Sequence, residues 1–482
     1  MIIKSNQTAH TKTIDAERYF NQAKTTVDHL GARVAEQLAS VPGAERVRRS
    51  VLKETLAYYE QFAAQVSDNS AFAIELASTH NRIGDLKRQM DSPDEAMSHF
   101  EMADQMYNDL LSDETSDEQS IRNLAVKNLN DLALTLRDVG RISEAKARFA
   151  DALGFIKQGV SDTSDARVQS ALTKSNYGML LAESGQRADA LPLLHEAERV
   201  LSGQSGELAR RSLSATLASL SSFATQPAEA IELIDKAIHV QLMIARDSPN
   251  RIRASSELAS LYNSLGSAQL RNSEYENAVL SFQKAIQLQR NLHSIAPEIP
   301  IYQQALARSL SNLAIGKQKS GMHDKAIAVA AEAAKHQRAS LSGSADSLSQ
   351  LGVILHNQAI SLMKTSQYSV ATDRLTEAID FQQRALDKSQ DLHLARDYLL
   401  NHYSNLLRCQ VALHEWTQVN STSRNYRAAA NGDARRLRKV ADDLIEITKL
   451  VPSGVHERRA RSELAFTRLL VDQSTPDTRV MP

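Results

Sequence analysis

Hydrophobic residues recur along this chain at steps of three and four, the spacing of an α-helix with one buried stripe. Within residues 261–288, Leu265 and Gly266 lie on the stripe of one such helix, and Ala278 and Phe282 lie on the stripe of a second. A short polar turn separates the two stripes. The segment therefore predicts two amphipathic helices that pack against each other as a hairpin.

The same two-helix pattern repeats through most of the chain. A small residue of the second helix returns every 40 to 49 residues, at Ala96, Ala145, Ala190, Ala230, Ala278, Ala326, Ala371 and, less clearly, Val419. In most units a bulky or apolar residue follows four positions later, and another alanine three positions after that. Glycine precedes the small residue by five positions at Gly140, Gly185 and Gly321. Helices approach closely only where side chains are small, so the pattern predicts stacked helix pairs.

We predict an all-α fold in three regions. Residues 1–69 form a helical cap, residues 70–430 hold about eight repeat units, and residues 431–482 form a second cap and a tail. The caps correspond to helices predicted at 14–39, 43–66, 433–450 and 456–470. Only 17 glycines and 10 prolines occur in 482 residues, which argues against a turn-rich β fold.

The pattern resembles the tetratricopeptide repeat (TPR). The matching residues are Leu265-Gly266 with Ala278, Phe282 and Ala285, Ile83-Gly84 with Ala96, Phe100 and Ala103, and Tyr177-Gly178 with Ala190 and Ala197. The resemblance implies a right-handed α–α superhelical solenoid of TPR-like helix pairs whose first helices line a concave groove. The period exceeds the usual ~34 residues, and we expect the extra length in longer second helices and in linkers.

Charge and composition exclude several classes of partner. With 56 basic and 57 acidic residues the net charge is −1, so no overall field attracts nucleic acid or an anionic membrane. The single cysteine, Cys409, cannot form an intramolecular disulfide. No apolar run suits a signal peptide or a membrane span. We therefore expect a soluble, cytoplasmic protein.

The sequence offers no catalytic motif. It contains no glycine-rich phosphate loop, no His-Arg-Asp and no Asp-Phe-Gly. The 14 histidines show no metal-binding spacing, so we interpret His80, His356 and His402 as packing or surface residues. Cys409 lies on an apolar helical stripe, which favours a buried role over a nucleophilic one. We predict a non-enzymatic chain without a cofactor or a metal.

The candidate binding residues lie on the predicted first helices, near the position of closest helix contact. They are Asn81, Asn130, Asn176, Asn263, Arg308, Asn312, Asn357, Asn401, Asn405 and Arg408. An amide can donate and accept a hydrogen bond, so asparagines here could bind the backbone of a peptide, as the TPR resemblance also implies. The alternative is that these asparagines bridge neighbouring units. The members from Arg308 to Arg408 form one stretch that suits an acidic peptide.

Charge is unevenly distributed along the chain. Residues 91–118 contain ten acidic residues and no lysine or arginine, whereas residues 424–439 contain six basic residues and one acidic residue. One interpretation is two solvated outer faces. The other is weak head-to-tail self-association between the acidic and the basic region. The basic region has few aromatic residues, so we do not expect it to bind nucleic acid.

The junctions show a second, narrower resemblance. The runs AERYFNQAKTTVDHL (16–30), VRRSVLKETLAYYEQF (47–62) and APEIPIYQQALARSLSNLA (296–314) resemble segments beside the TPR region of large bacterial serine/threonine kinases. This leaves two functional hypotheses. The first is a scaffold that binds a protein or peptide in the concave groove of a TPR solenoid. The alternative is a regulatory or sensor fragment of a serine/threonine kinase signalling system.

Overall fold

The protein folds entirely into helices over the part of the chain that its computed structural model describes. That part comprises residues 33–38, 44–67, 72–112, 117–247, 251–295, 299–389, 392–430 and 432–452, with residues 297, 454, 458, 460–462 and 464. It contains 19 α-helices and no β-strand. The all-α fold predicted from the sequence is confirmed.

The helices alternate with short turns. Their bounds are α1 (Arg33–Leu38), α2 (Glu45–Val66), α3 (Ala73–Gln89), α4 (Pro93–Ser112), α5 (Glu118–Asp138), α6 (Ile142–Gln158), α7 (Ser164–Glu183), α8 (Arg187–Leu201), α9 (Glu207–Phe223), α10 (Pro227–Asp247), α11 (Arg251–Arg271), α12 (Tyr275–Ile295), α13 (Pro300–Lys319), α14 (His323–Ala339), α15 (Ala345–Lys364), α16 (Tyr368–Lys388), α17 (His393–Ala412), α18 (Trp416–Ala429) and α19 (Ala434–Leu450).

Each repeat unit is an antiparallel pair of helices, from α3 with α4 to α17 with α18. The recurring alanines lie where the two helices of a pair meet. Ala96, Ala145, Ala278 and Ala371 are all 0% exposed. Helix axes can approach closely here because no side chain larger than a methyl group separates them. The small-residue pattern therefore marks the buried contact of each pair, as predicted.

A left-handed residue ends the first helix in seven of the eight units. It stands five positions before the second-helix alanine, or before Val419 in the last unit, with φ between 59° and 81°, at Asp91, Gly140, Gly185, Ser273, Gly321, Ser366 and His414. In the turn after α15, for example, the backbone N–H of Gln367 donates a hydrogen bond to the carbonyl oxygen of Leu362 at 2.9 Å. The left-handed turn thereby satisfies carbonyl groups at the C-terminal end of the helix that have no hydrogen-bond partner within the helix. The three glycines seen in the sequence are the unstrained members of this set.

The chain divides into two compact units, Met1–Leu258 and Ala259–Pro482. In the first, Phe100 and Phe149 are fully buried beside Leu132 and Leu180. In the second unit, one cluster of buried hydrophobic residues surrounds Phe282. A second cluster surrounds Leu375 and Tyr426 and extends to residues of α19. The three-region division made from the sequence stays a prediction.

Two details differ from expectation or lie beyond the described residues. First helices of 17 to 21 residues are as long as second helices of 14 to 21 residues, so the extra repeat length is shared between both. The extra length was expected in longer second helices and in linkers; the first helices are long as well, and long partners bury more apolar surface along the whole pair. Most of the cap helices predicted at 14–39 and 456–470 lies outside the described residues.

Candidate functional site

A pocket opens on the face that successive first helices form in the unit Ala259–Pro482. It lies between α13, α15 and α17 and has a volume of about 250 Å³. Its lining consists of Arg308, Ser311, Asn312, Gln337, Ser349, Gln350, Val353, Ile354 and Tyr398. Two of the predicted binding residues, Arg308 and Asn312, thus lie together at its rim. Apolar side chains of α15 and polar groups of four helices, including Gln337 of α14, line this space.

Arg308 is the charged group of this pocket. Its side chain is exposed, and no ion pair or hydrogen bond engages its guanidinium within the described residues. One turn further along α13, the Asn312 amide donates to Asn263 Oδ1 on α11 at 3.0 Å. Ser309 Oγ donates to the same oxygen at 3.1 Å. The rim therefore combines an anchored amide with an arginine whose positive charge is uncompensated.

The polar surface continues on α15 and α17. Asn405 donates to the carbonyl of Asn401, one turn earlier on α17, at 3.1 Å. The side-chain amides of Asn357 and Asn401 are half-buried and make no hydrogen bond within the described part of the chain. Arg408 is half-buried on the same helix. The members from Arg308 to Arg408 lie on successive first helices, as their spacing predicted.

The asparagines of the unit Met1–Leu258 are engaged with one another. Asn176 on α7 donates to Asn130 Oδ1 on α5 at 2.9 Å. Asn81 on α3 donates to Asn128 Oδ1 on α5 at 3.1 Å. Asn81 and Asn130 are only 6% and 5% exposed. These contacts match the alternative left open by the sequence, in which asparagines bridge neighbouring units.

Histidines form close pairs that the sequence analysis did not detect. His356 Nδ1 on α15 lies 2.9 Å from His402 Nδ1 on α17, and His80 Nδ1 on α3 lies 3.0 Å from His99 Nδ1 on α4. Burial lowers the pKa of His356 to about 4 and that of His402 well below 6.5, so both rings are neutral at pH 7. The 46-residue separation of His356 and His402 is close to one repeat. Aligning the histidines at the repeat period could have found this pair.

A buried glutamine of the second helices was also missed. It recurs at Gln241, Gln289, Gln337 and Gln382, with the same intervals of 48, 48 and 45 residues as the alanines. The amide of Gln337 donates to the Ser347 carbonyl at 3.1 Å, and that of Gln382 donates to Ser349 Oγ at 2.9 Å. Each bond ties a second helix to a first helix. Two of these residues therefore fix α15 beneath the pocket.

Cys409 is fully buried, and burial raises the pKa of its thiol to about 12, so it is protonated at neutral pH. Within the described residues, no three His, Cys, Asp or Glu side chains converge as metal ligands would. No described helix combines the length and the apolar character that crossing a bilayer requires.

Comparisons with known proteins address the fold. Residues 259–292, which include most of α11 and most of α12, match the family model of the tetratricopeptide repeat. The apo form of RapI superimposes with a TM-score of 0.50 at 12% identity, covering 74% of this chain and 99% of RapI. The chain has a TPR-like fold of repeated helix pairs.

Two further solved structures resemble this TPR-like chain more distantly. Aspartyl phosphate phosphatase F from Bacillus subtilis has a TM-score of 0.44 at 14% identity, over 83% of this chain and 93% of its own. A Rap protein complexed with competence and sporulation factor has a TM-score of 0.42 at 12% identity, over 83% and 98%. A search of curated proteins gives no match. At these identities the likeness concerns the fold, and the kinase-linked alternative stays a prediction.

Proposed function

We propose that this chain is a non-enzymatic interaction scaffold that binds an extended acidic peptide along the first helices of residues 259–482. The observation that carries the proposal is Arg308 at the rim of the pocket between α13 and α15. Its guanidinium is exposed and has no carboxylate partner within the described residues. A guanidinium can bind a carboxylate through two parallel hydrogen bonds. An acidic side chain of a peptide would supply the missing partner.

The neighbouring amides suit the backbone of the same peptide. Asn357 and Asn401 lie on successive first helices, and their amides make no hydrogen bond in the described part of the chain. An amide that both donates and accepts can pair with a peptide group whatever the side chain beside it. Asn130 and Asn176 satisfy each other instead. We therefore place peptide binding in the unit Ala259–Pro482.

The size of the pocket favours a peptide over a small metabolite. Sites for drug-sized ligands typically enclose about 300–1,000 Å³, and this pocket measures about 250 Å³. Its walls include the apolar Val353 and Ile354 and the ring of Tyr398. Such a space can take one apolar side chain while the rest of a peptide follows the helices. The peptide class is thus acidic, with an apolar residue close to the carboxylate.

Selection from a library of random peptides would test this function with the full chain. We expect the enriched peptides to be acidic, and Arg308→Ala to weaken the selected peptide by about tenfold or more, because a charge-assisted hydrogen bond contributes about 1.5–3 kcal/mol. Asn357→Ala with Asn401→Ala should weaken it further. Isothermal titration calorimetry would measure each affinity.

Matched controls lie on second helices. Arg384 on α16 and Asn291 on α12 are exposed residues of the same types. Arg384→Ala and Asn291→Ala should leave peptide affinity unchanged. Selection of basic peptides, or equal affinity for the Arg308→Ala variant and wild type, would contradict the proposed function.

We also place the scaffold in the cytoplasm, because its single buried cysteine gives no sign of a disulfide framework.

A further inference from the structure

A second recess lies on the unit Met1–Leu258, between the second helices α4 and α6. Two adjoining cavities of about 410 and 420 Å³ share Asp104, Asn108 and Arg148, so they form one groove. Leu129, Leu132 and Leu136 of α5 contribute to its lining. From Glu144 to Gln158, α6 follows this groove for about 21 Å at 1.5 Å per residue. We call it the acidic groove, after the carboxylates described next.

The walls of the acidic groove carry an excess of negative charge. They contain Glu101, Asp104, Asp109, Glu144 and Asp151 against one lining base, Arg148. Arg148 lies 3.1 Å from Asp151 and 3.8 Å from Asp104, and Glu144 pairs with Arg141 outside the lining. Glu101 and Asp109 have no ion pair within the described residues.

Asp104 is a largely buried carboxylate of the acidic groove. Its side chain is only 17% exposed. Burial raises the pKa of Asp104, Arg148 opposes this shift in part, and the nearby Asp151 and Glu101 add smaller contributions that raise it. A further cation in the groove would therefore stabilise its ionised form.

An excess of positive charge lies on α18 and the start of α19, in the unit Ala259–Pro482. Arg436 pairs with Asp397 at 2.9 Å and Lys439 with Asp443 at 3.1 Å. By contrast, Arg435 and Arg438 form no ion pair in the described part of the chain. They are exposed and lie three positions apart, on the same side of α19. We call Arg435 and Arg438 the arginine face.

We propose that the acidic groove binds the arginine face of a second copy of this chain. The chain is almost neutral, with a net charge of −1, yet each of these surfaces carries an excess of one sign. A second copy supplies both complementary surfaces at once. Because the surfaces differ, the contact is heterologous. It forms a closed ring if the rotation between copies closes, and longer oligomers as the protein concentration rises if it does not.

Sedimentation velocity of the full chain tests this contact. We expect oligomers at roughly 20 mM salt and monomers at roughly 500 mM salt, because the Debye length shortens with ionic strength. Reversing the groove charge with Glu101→Lys and Asp109→Lys should give a monomer at both salt concentrations. Arg435→Glu with Arg438→Glu should do the same. As a control, Glu183→Lys with Asp387→Lys changes the net charge as the groove variant does, at exposed helix ends elsewhere, and should still associate.

A mixture of the two variants gives the sharpest result. The groove variant keeps its arginine face and the arginine variant keeps its groove, so the mixture should form a one-to-one dimer and nothing larger. A wild-type chain that remains monomeric at about 100 µM and low salt, where screening is weakest, would overturn the proposal. So would oligomers that both variants leave intact. Binding of a synthetic peptide of residues 434–450 to a chain that stays monomeric would also overturn it, in favour of a different basic partner. None of these outcomes affects the peptide site proposed for the first helices.

Discussion

Gly266 and Phe282 are in such close contact that residue 266 has no room for a side chain. A Cβ atom built on Gly266 would lie 2.6 Å from Cε1 of the Phe282 ring. Gly84 has the same relationship to Phe100, at 2.7 Å. Since real Cβ contacts are much longer, α11 and α12 would have to move apart, or the ring would have to leave its position. The pairing of a glycine with a phenylalanine therefore sets how closely these two helices approach.

Gly266→Ala should destabilise the protein by about 1–3 kcal/mol, because it overpacks a fully buried contact. Gly154 on α6 is the matched control, since a Cβ built there meets nothing within 4 Å. Gly154→Ala should stabilise α6 by about 0.5–1 kcal/mol through helix propensity. Urea unfolding followed by circular dichroism measures both. Equal effects of the two substitutions would show that propensity, and not the contact with Phe282, governs residue 266.

Ser366→Gly should stabilise the chain by roughly 0.5–1 kcal/mol. Ser366 ends α15 with φ of 60°, a left-handed conformation that is strained for a residue with a Cβ. Gly321 occupies the same position in the previous unit with φ of 76°. Gly321→Ser should therefore cost a similar amount. Thermal unfolding of both variants checks the pair, and a change of the same sign in both would refute the argument.

These two sites show how far the sequence predicts the fold. The spacing of Gly266 and Phe282 is visible in the sequence because close packing demands particular side-chain sizes at particular positions. The left-handed turn at Ser366 was not visible, because a serine gives no signal of its backbone conformation. It becomes recognisable only after Gly321 is aligned with it at the repeat period. A constraint on side-chain size can be recognised from the residue at that position. A strained backbone conformation that a residue tolerates can be recognised only when the repeat units are compared.

Acidification should loosen the contact between α15 and α17. Burial lowers the pKa of His356 to about 4 and that of His402 well below 6.5. The unfolded chain therefore takes up protons first as the pH falls through 6.5, and it is stabilised relative to the folded state. The stability present above pH 6.5 should decrease down to about pH 4, by up to about 3 kcal/mol for His356 alone.

Hydrogen exchange measured against pH, and expressed as protection factors to remove the pH dependence of the intrinsic exchange rate, would show this effect as lower protection in α15 and α17. The double variant His356→Gln with His402→Gln removes both titrating rings and should flatten the dependence in these helices. His195, which is exposed on α8, offers the control, since His195→Gln should leave the dependence unchanged. Protection factors in α15 and α17 that do not vary between pH 7 and pH 4.5 would exclude neutral burial of the pair.

Ala285→Glu should unfold the contact between α11 and α12 locally, at a cost of several kcal/mol. Ala285 is 0% exposed, so the new carboxylate would be buried without a partner. Units of a repeat array contact only their neighbours, so distant helices should retain their protection from hydrogen exchange. Leu280→Glu is the control, because Leu280 is 57% exposed on the same helix. Loss of all helices in one cooperative step would argue against loosely coupled units.

The candidate site was predictable in outline but not in detail. The repeat period places all ten predicted residues on first helices, and this could be deduced from the sequence. Whether an asparagine of one first helix bonds to an asparagine of the next depends on how the two side chains are oriented. Asn130 and Asn176 form a hydrogen bond, whereas Asn357 and Asn401 form none with each other within the described residues. That orientation depends on the packing of many side chains, and no local pattern encodes it.

A double-mutant cycle on Asn130 and Asn176 separates bridging from ligand binding. If the 2.9 Å hydrogen bond joins α5 to α7, Asn130→Ala and Asn176→Ala should each destabilise the protein, and the double variant should cost less than their sum. A coupling of about 0.5–1.5 kcal/mol is expected, because each single change leaves the partner amide without this hydrogen bond. The same cycle on Asn357 and Asn401 should show no coupling in stability, since these amides do not bond to each other. Additive effects at Asn130 and Asn176 would mean that the bond contributes nothing to folding, and these asparagines would again be candidates for binding a ligand.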